Sequence, residues 1–271
     1  MLKVVTDLFS LSYYLPLDSP VVGQTVLVYL EGGGACFNAA SCKHRCAVGS
    51  SQADRCSQHK ATVKNLTGSI WSGSKEENPG LWSSYKIFVP YCTSDVFSGR
   101  RGADEETAGF TFHGKYVVEA VVDDLLTEVF NNFEITQFVF MGASAGQIVL
   151  HWDEPQAWSH SRPGAFGVAN NCDWVASQVR KSSAGANVRC VMDGLDFFPT
   201  SNLVPGCNPF FIRNLAAQFW KAEVDQSCEE ANREDRKKCL VFTTSHQYIE
   251  TPFMVIVPYE DTNNQVLLLR E

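Results

Sequence analysis

The hydrophobic pattern of the chain predicts several buried strands and one long amphipathic helix. Four short runs are apolar or β-branched nearly throughout: residues 25–30, 85–90, 138–141 and 252–257. Between Lys115 and Phe133 the apolar residues recur at helical spacing instead, and this segment leads directly into the third run. Strands that are apolar throughout are typical of a parallel sheet covered on both faces. The pattern therefore predicts an α/β fold with a mainly parallel central sheet flanked by helices.

The polar stretches between these runs predict loops and one domain. Residues 36–80 are rich in Cys, Ser, Gly and Asn, so we expect a loop region tied by disulfides. Residues 95–114 carry charge and glycine and are also expected to form a loop. The sequence has no internal repeat and no low-complexity linker. We therefore expect residues 1–271 to form a single α/β domain.

Composition and charge narrow the class of protein. The chain is 45% hydrophobic and carries a formal net charge of -8, with a pI near 5.3. An acidic chain of this kind is not expected to bind nucleic acid or an anionic membrane surface. No apolar run approaches the length that spans a bilayer, so no membrane span is expected.

Ten cysteines indicate an oxidising compartment and a set of disulfides. The sequon at Asn65 fits the same context and is a candidate glycosylation site. A second interpretation is a zinc site, because five potential ligands lie close together in the sequence: Cys42, His44, Cys46, Cys56 and His59. Their spacing matches no strong zinc-finger pattern, so disulfides are favoured.

A nucleophile elbow is the strongest chemical signal in the sequence. The predicted strand at 138–141 runs into Gly142-Ala-Ser-Ala-Gly146, a turn that exposes the hydroxyl of Ser144 at the end of a sheet. Acyl transfer by serine also needs donors for the oxyanion. The backbone N–H of Ala145 supplies one, and Gly33 and Gly34, which follow the strand at 25–30, are placed to supply others. This chemistry requires no metal and no organic cofactor.

Three segments in this order resemble the pectin acetylesterase family, which also includes the Notum carboxylesterases. They are Leu-Glu-Gly-Gly-Gly-Ala-Cys at 30–36, Val-Pro-Tyr-Cys-Thr-Ser-Asp at 89–95 and Gly-Ala-Ser-Ala-Gly at 142–146. Further similar stretches lie at 166–173, 191–193 and 251–253. The resemblance extends from about Tyr13 to Asp261, which is most of the chain.

The resemblance implies a secreted, disulfide-bonded serine esterase with an α/β-hydrolase-like fold and a Ser-Asp-His triad in that chain order. Ser144 matches the nucleophile of the family, and Asp261 corresponds to its acid. The oxyanion donors correspond to Gly33, Gly34 and Ala145. Two further carboxylates, Asp193 and Asp196, remain candidates for lining the site.

The sequence departs from the family at the catalytic base. In the family the histidine follows the acid, whereas the last histidine of this chain is His246, which precedes Asp261. We expect His246 and the other five histidines to be surface or structural residues. A triad that lacks its base loses a factor of thousands or more in rate. We therefore expect this 271-residue chain to be catalytically impaired.

Residues 147–163 form an unexpected insertion directly after the elbow. Deleting them restores the Gly-Gly continuation that is usual in the family. One interpretation is a specificity loop in which Trp152 and Trp158 contact a sugar or acyl group. The favoured interpretation is a segment foreign to the mature protein, such as a translated intron, because it interrupts the helix expected after the elbow. Residues 1–10 have no signal-peptide pattern, and we expect the chain to be incomplete at both ends.

The sequence thus predicts an enzyme that hydrolyses O-acetyl esters on a cell-wall or extracellular polysaccharide. The first alternative is a Notum-type carboxylesterase that removes a lipid acyl group from a protein. The second is a non-catalytic homologue that binds glycans. In each case we expect a secreted monomer whose partner is an acetylated polysaccharide or another ester substrate, with no nucleic acid involved.

Overall fold

The fold is described from a computed structural model of the protein. The structure describes residues 2–5, 11–14, 24–50, 53, 56, 66–131, 133–143, 163–194, 217–256 and 269–270. At 2–5, 11–14, 163 and 269–270 only the backbone is described.

The described strands form one eight-stranded sheet. They are β1 (Leu2–Val5), β2 (Leu11–Tyr14), β3 (Thr25–Leu30), β4 (Tyr85–Val89), β5 (Gln137–Ala143), β6 (Asn187–Asp193), β7 (Phe253–Ile256) and β8 (Leu269–Arg270). Their spatial order is β1-β2-β4-β3-β5-β6-β7-β8. Five central strands pair in parallel, in the order β4, β3, β5, β6 and β7. The strands on either side of them, β2 and β8, pair with them antiparallel. The predicted parallel sheet is confirmed.

The strands lie where the apolar runs predict them. Strand β3 has the predicted bounds, and β4 and β7 differ from the predicted runs only at their ends. Strand β5 is longer than predicted and continues through Gly142 to Ala143, directly before Ser144. Strand β6 comes from the stretch around Val191, which resembles the family but is not predicted as a strand by its apolar pattern. Buried and more exposed side chains alternate along β6, so its sequence contains no continuous apolar run.

The described helices lie between the strands. They are α1 (Ala39–Arg45), α2 (Gly114–Glu128), α3 (Pro163–Ser182), α4 (Gln226–Ala231) and α5 (Phe242–Ser245), with 3-10 helices at Ser69–Trp71 and Arg233–Leu240. Helix α2 confirms the predicted amphipathic helix but ends at Glu128, five residues before Phe133. Val129 is nevertheless buried in the core beyond the end of the helix.

Helices α2 and α3 cover the same face of the sheet. Their apolar side chains form one core cluster with alternate residues of the central strands, among them Val28, Phe140 and Cys190. These three residues lie side by side in the register of β3, β5 and β6. Burial of this continuous apolar surface is the main stabilising contribution to the fold.

The opposite face of the sheet is covered unevenly within the described residues. Trp71 packs edge-on against Tyr29 and Phe88, with ring centroids 5.4 and 5.7 Å away. Farther along the sheet, Val139 and Met141 of β5 are only partly buried. No helix in the described part of the chain is long and apolar enough to cross a membrane.

Helix α1 corrects the prediction that residues 36–80 are loop throughout. The side chain of Asn38 accepts a hydrogen bond from Ser41 N, and the Ser41 hydroxyl accepts one from Asn38 N. This reciprocal capping stabilises the first turn of a helix. The disulfides Cys36–Cys42 and Cys46–Cys56 flank it on both sides. The helix has only seven residues and lies in a cysteine-rich stretch. Its hydrophobic repeat is therefore too short for the sequence to predict a helix there.

Candidate active site

The candidate site lies at the carboxyl edge of the parallel sheet, where several strands end together. Leu30 at the end of β3 pairs with Gly142 of β5, and Ala143 pairs with Asp193 of β6. Asp193 in turn pairs with Ile256 of β7. Ligands of parallel α/β sheets bind outside the carboxyl ends of the strands. This edge therefore carries both the glycine loop (residues 32–34), which follows β3, and Ala143, which precedes Ser144.

Two glycines allow α3 to begin against this edge. A Cβ atom on Gly142 would collide with the backbone of Gly164 in the first turn of α3. A Cβ atom on Gly164 would lie 2.5 Å from the carbonyl oxygens of both Ala143 and Leu30. The chain thus leaves β5 after Ala143 and re-enters a helix at the same place. The described residues thus place β5 and α3 where the predicted nucleophile elbow requires its strand and helix, and residues 144–162 lie between them in the sequence.

The glycine loop after β3 holds its backbone in a conformation that favours glycine. Gly33 has a φ of 144° and Gly34 a φ of 40°. Gly34 is buried, and within the described part of the chain its N–H donates to no acceptor. Buried backbone N–H groups are nearly always paired, and those left open are often found at binding or catalytic sites. Such a donor is consistent with the oxyanion role that the sequence predicts for Gly34, which stays a prediction.

A buried carboxylate organises the neighbouring loop after β4. Asp95 is fully buried and accepts hydrogen bonds from Thr93 Oγ1 at 2.5 Å, Phe97 N at 3.1 Å and Gly114 N at 2.7 Å. Burial raises the pKa of Asp95 to about 6, although these hydrogen bonds act in the opposite direction. The contact with Gly114 links the loop to the first residue of α2.

A second network connects the glycine loop to β4. Glu31, which precedes the glycines, accepts a hydrogen bond from Tyr91 N at 2.9 Å. The hydroxyl of Tyr91 accepts one from Val96 N at 2.8 Å. Because Glu31 and Tyr91 are both buried, these bonds fix the ends of β3 and β4 relative to each other.

Asp193 ends β6 at the same edge of the sheet, and its role as a lining carboxylate stays a prediction. Its backbone pairs with Ala143, and its charge contributes to the raised pKa of Tyr29. Burial is the largest cause of that shift, which brings the pKa of Tyr29 to about 12. Tyr29 is therefore a neutral hydroxyl at ordinary pH.

The three described histidines occupy structural or surface positions. His246 follows α5, and its Nδ1 donates to Phe242 O at 2.7 Å. His113 precedes α2 and packs edge-on against Tyr116, and burial lowers the pKa of its imidazole. His44 lies on the exposed side of α1. His59, His151 and His160 lie outside the described residues.

The cysteines settle the choice between disulfides and zinc. The structure contains four disulfides: Cys36–Cys42, Cys46–Cys56, Cys172–Cys190 and Cys228–Cys239. The zinc alternative is wrong, because its three cysteines are oxidised and cannot act as thiolate ligands. Cys92 is a free thiol whose pKa is raised to about 12, chiefly by burial. Cys207 lies outside the described residues.

A cavity of about 980 Å³ lies away from the carboxyl edge. Its lining includes Lys115 of α2 and Trp174 of α3, together with residues of the segment 217–240. The Nζ atom of Lys115 lies 4.6 Å from the centre of the Trp174 ring and donates to Asn171 Oδ1 at 2.7 Å. None of the named lining residues belongs to the glycine loop or to the ends of β3, β5 and β6. Among the described residues, the lining of the cavity therefore does not overlap the candidate site.

Several residues predicted for the site lie outside the described residues. They are Ser144, Ala145, Asp196, Asp261, the glycosylation candidate Asn65 and the two tryptophans Trp152 and Trp158. The structure places Gly33 and Gly34 beside the strand that leads to Ser144, and their functional roles stay predictions. Sequence reasoning did not identify Arg45, which contacts both glycines. The capping pattern at Asn38 and Ser41 was the only local signal for the helix that carries it.

Curated relatives of the chain are esterases by name. Pectin acetylesterase 5 of Arabidopsis thaliana is 26% identical over 254 residues, covering 92% of this chain and 52% of the relative. The palmitoleoyl-protein carboxylesterase NOTUM of Mus musculus is 34% identical over 240 residues, covering 85% and 43%. That of Schmidtea mediterranea is 25% identical over 253 residues, covering 90% and 44%. The chain thus spans about half the length of these relatives.

A comparison of structures and a match to a family model support the same relationship. A solved structure of the Wnt deacylase Notum from Drosophila superposes with a TM-score of 0.72 at 21% identity, covering 91% of this chain and 66% of that one. This likeness shows a shared α/β-hydrolase-like fold. Residues 10–157, more than half of the chain, match the family model described as Pectinacetylesterase. The chain therefore belongs to the pectinacetylesterase family.

Proposed function

We propose that the protein is a serine carboxylic-ester hydrolase that removes O-acetyl groups from a cell-wall or extracellular polysaccharide. The observation that carries this proposal is that β3 and β5 end side by side, with Leu30 paired to Gly142. The glycine loop therefore follows β3 at the edge where β5 reaches Ala143, directly before Ser144. The open N–H of Gly34 and the start of α3 at the same edge support it. Membership of the pectinacetylesterase family favours an acetyl ester as substrate.

In the proposed reaction, the Oγ atom of Ser144 attacks the acyl carbonyl carbon. The carbonyl oxygen becomes an oxyanion that accepts hydrogen bonds from the N–H groups of Gly33, Gly34 and Ala145. A general base takes the Oγ proton during the attack and returns it to the leaving oxygen. Collapse of the intermediate therefore releases the sugar hydroxyl and leaves an acetyl group on Ser144, which water then hydrolyses to acetate. Asp261 is positioned by sequence to orient a histidine base, and no histidine follows His246 in the 271 residues.

The proposal is tested by measuring ester hydrolysis with an external base. Imidazole is added to the 271-residue chain, and hydrolysis of p-nitrophenyl acetate is compared with that by Ser144→Ala under the same conditions. The variant subtracts the hydrolysis that imidazole catalyses in solution. We expect turnover that depends on Ser144 and rises with imidazole concentration, because imidazole acts as an external general base. Equal rates for both proteins would overturn the assignment of Ser144 as nucleophile.

Acetyl specificity is tested by changing the acyl chain. We expect faster Ser144-dependent hydrolysis of p-nitrophenyl acetate than of p-nitrophenyl octanoate, and release of acetate from acetylated pectin. A Notum-type carboxylesterase is the second candidate, because several relatives carry the name palmitoleoyl-protein carboxylesterase. A preference for the octanoate ester would favour that candidate.

A non-catalytic glycan-binding protein is the candidate from a different class. The observation that favours it is that the three described histidines lie at structural or surface positions. It predicts that Ser144→Ala leaves pectin binding unchanged and that neither protein hydrolyses any ester with imidazole present. Calorimetric titration of both proteins with pectin distinguishes this outcome from an esterase.

We further propose that the protein is secreted and glycosylated at Asn65. Four disulfides support an oxidising compartment.

We also propose that residues 1–271 form one domain and that residues 147–163 are an insertion. The close approach of Gly164 to Ala143 supports the insertion, because the described chain before residue 144 and after residue 163 lies at one place. A monomer acting on an extracellular ester agrees with the acidic net charge of the chain.

A further inference from the structure

A buried arginine lies directly beneath the glycine loop. Arg45 is the last residue of α1, and only 7% of its surface is exposed. The disulfides Cys36–Cys42 and Cys46–Cys56 flank the helix and restrict its position. A buried guanidinium is stable only where its donors are satisfied. The partners of Arg45 therefore identify what the helix is built to hold.

The donors of Arg45 converge on the glycine loop and on the loop after β4. Its Nη2 atom donates to the carbonyl oxygens of Gly33 and Gly34, each at 2.8 Å. Its Nε atom donates to Ser94 Oγ at 2.9 Å. Cys36 N donates to Ser94 O at 3.1 Å, so the two loops also touch through their backbones. One side chain thus fixes two successive peptide groups of the glycine loop.

Fixing these carbonyls determines where the neighbouring N–H groups point. In a trans peptide, the C=O of one residue and the N–H of the next point in opposite directions. A hydrogen bond to Gly33 O therefore turns the N–H of Gly34 away from the guanidinium, and a bond to Gly34 O does the same for Ala35. Within the described residues, neither N–H has an acceptor. A charged donor on a carbonyl also polarises the peptide and strengthens its N–H as a donor.

We propose that Arg45 is a positioning residue of the oxyanion site. It holds Gly33 and Gly34 in their positive-φ conformation and aims the N–H of Gly34, with that of Ala35, at the substrate oxygen. This inference rests on the proposed esterase function. It adds Ala35 to the candidate oxyanion donors and gives the disulfide-flanked helix α1 a role in the reaction.

The kinetic test compares Arg45→Met with a matched variant. Arg101 is equally buried, with 8% of its surface exposed, but it contacts Asp104, Glu106 and Phe219 O and not the glycine loop. With imidazole present, we expect Arg45→Met to lower kcat for p-nitrophenyl acetate about 100-fold with little change in KM. Arg101→Met should retain near wild-type kcat. Equal losses in the two variants, or a loss confined to KM, would overturn the proposal.

Two further variants separate positioning from stability. Arg45→Lys keeps an ammonium that is able to donate to both glycine carbonyls, and we expect it to recover part of kcat. Ser94→Ala removes the acceptor of Nε and leaves the carbonyl bonds of Nη2, so we expect a much smaller loss of kcat than in Arg45→Met. If Ser94→Ala lowers kcat as much as Arg45→Met, the effect belongs to the packing of the loops and the proposal fails.

A binding measurement decides the inference independently of turnover. Acetate, a product of the proposed reaction, is titrated into protein labelled with ¹⁵N-glycine. We expect the amide signal of Gly34 to shift saturably in the wild type and in Arg101→Met, and not in Arg45→Met. If the wild type hydrolyses no ester but shows this pattern, the proposed function fails and the role of Arg45 stands. No shift in the wild type, or the same shift in Arg45→Met, overturns the role of Arg45.

Discussion

At the residue scale, Asp95 accounts for two glycines near the candidate site. A Cβ atom on Gly99 would lie 2.5 Å from Asp95 Oδ2, and one on Gly114 would collide with Asp95 Oδ1. The backbone of Gly114 also donates to this carboxylate. The loop after β4 and the start of α2 therefore close tightly around one buried acidic group, which leaves no room for side chains at these positions.

Burial of Asp95 predicts a pH-dependent stability. Its pKa of about 6 in the folded protein lies above the ordinary value of 3.8. Between these values the folded protein holds a proton that the unfolded chain has released. The contribution of Asp95 to the free energy of unfolding is therefore fully present below about pH 4 and falls by about 3 kcal/mol as the pH rises through 6.

The measurement is chemical denaturation of the wild type and Asp95→Asn at pH 4 and pH 6.5 with disulfides intact. The variant does not titrate at this position, so its difference from the wild type isolates the carboxyl group. We expect the advantage of the wild type to be larger at pH 4. A difference that is the same at both pH values contradicts the buried, proton-binding state of Asp95.

Single residues of the site differ in how well the sequence predicts them. Gly33 and Gly34 are identifiable because a run of glycines directly after a buried strand is typical of a tight loop with exposed backbone N–H groups. Arg45 is not identifiable, because its partners are backbone carbonyls of residues 12 and 11 positions earlier. Main-chain acceptors leave no mark in the sequence, so such contacts need the folded structure.

At the element scale, four of the eight described strands are predictable from apolar runs, and α3 is not predictable from its apolar pattern. A short run that is apolar throughout fits few structures besides a buried strand, and β3, β4, β5 and β7 lie at such runs. Helix α3 buries mainly small residues, among them Ala165, Ala169 and Ala176, so its apolar face gives a weak signal. The sequence predicts that 147–163 interrupts the helix after the elbow. In the structure the helix begins at Pro163 and packs directly on β5.

The contact between α3 and β5 predicts a strong effect of one added methyl group. Gly142→Ala places a Cβ atom against the backbone of Gly164, which cannot move without shifting the start of α3. We expect the free energy of unfolding to fall by about 3 kcal/mol. Gly73→Ala is the matched control, because nothing lies within 4 Å of a Cβ atom there. Chemical denaturation checks both variants, and equal stability of the two would contradict the close packing of α3 on β5.

At the scale of the whole molecule, one sheet edge gathers segments that are distributed along the chain and that the sequence predicts for the site of a serine esterase. Residues of β3, the loop after β4, the end of β5 and the start of α3 all contribute to that edge. The order of the strands cannot be read from the apolar runs, because such runs do not specify their neighbours. The family resemblance implies an α/β-hydrolase-like sheet, and the sheet topology and the likeness to Notum confirm it.

The central claim is that this fold presents Ser144 as a nucleophile beside the oxyanion donors of the glycine loop. The most direct test is to treat the folded chain with a fluorophosphonate in the presence of imidazole and to map the modified residue by mass spectrometry. Attack by the serine oxygen on phosphorus displaces fluoride and leaves a stable adduct. We predict that Ser144 is modified in the folded protein and not after unfolding in guanidinium chloride. Modification of another residue, or equal modification of Ser144 in the folded and unfolded chains, would contradict the claim.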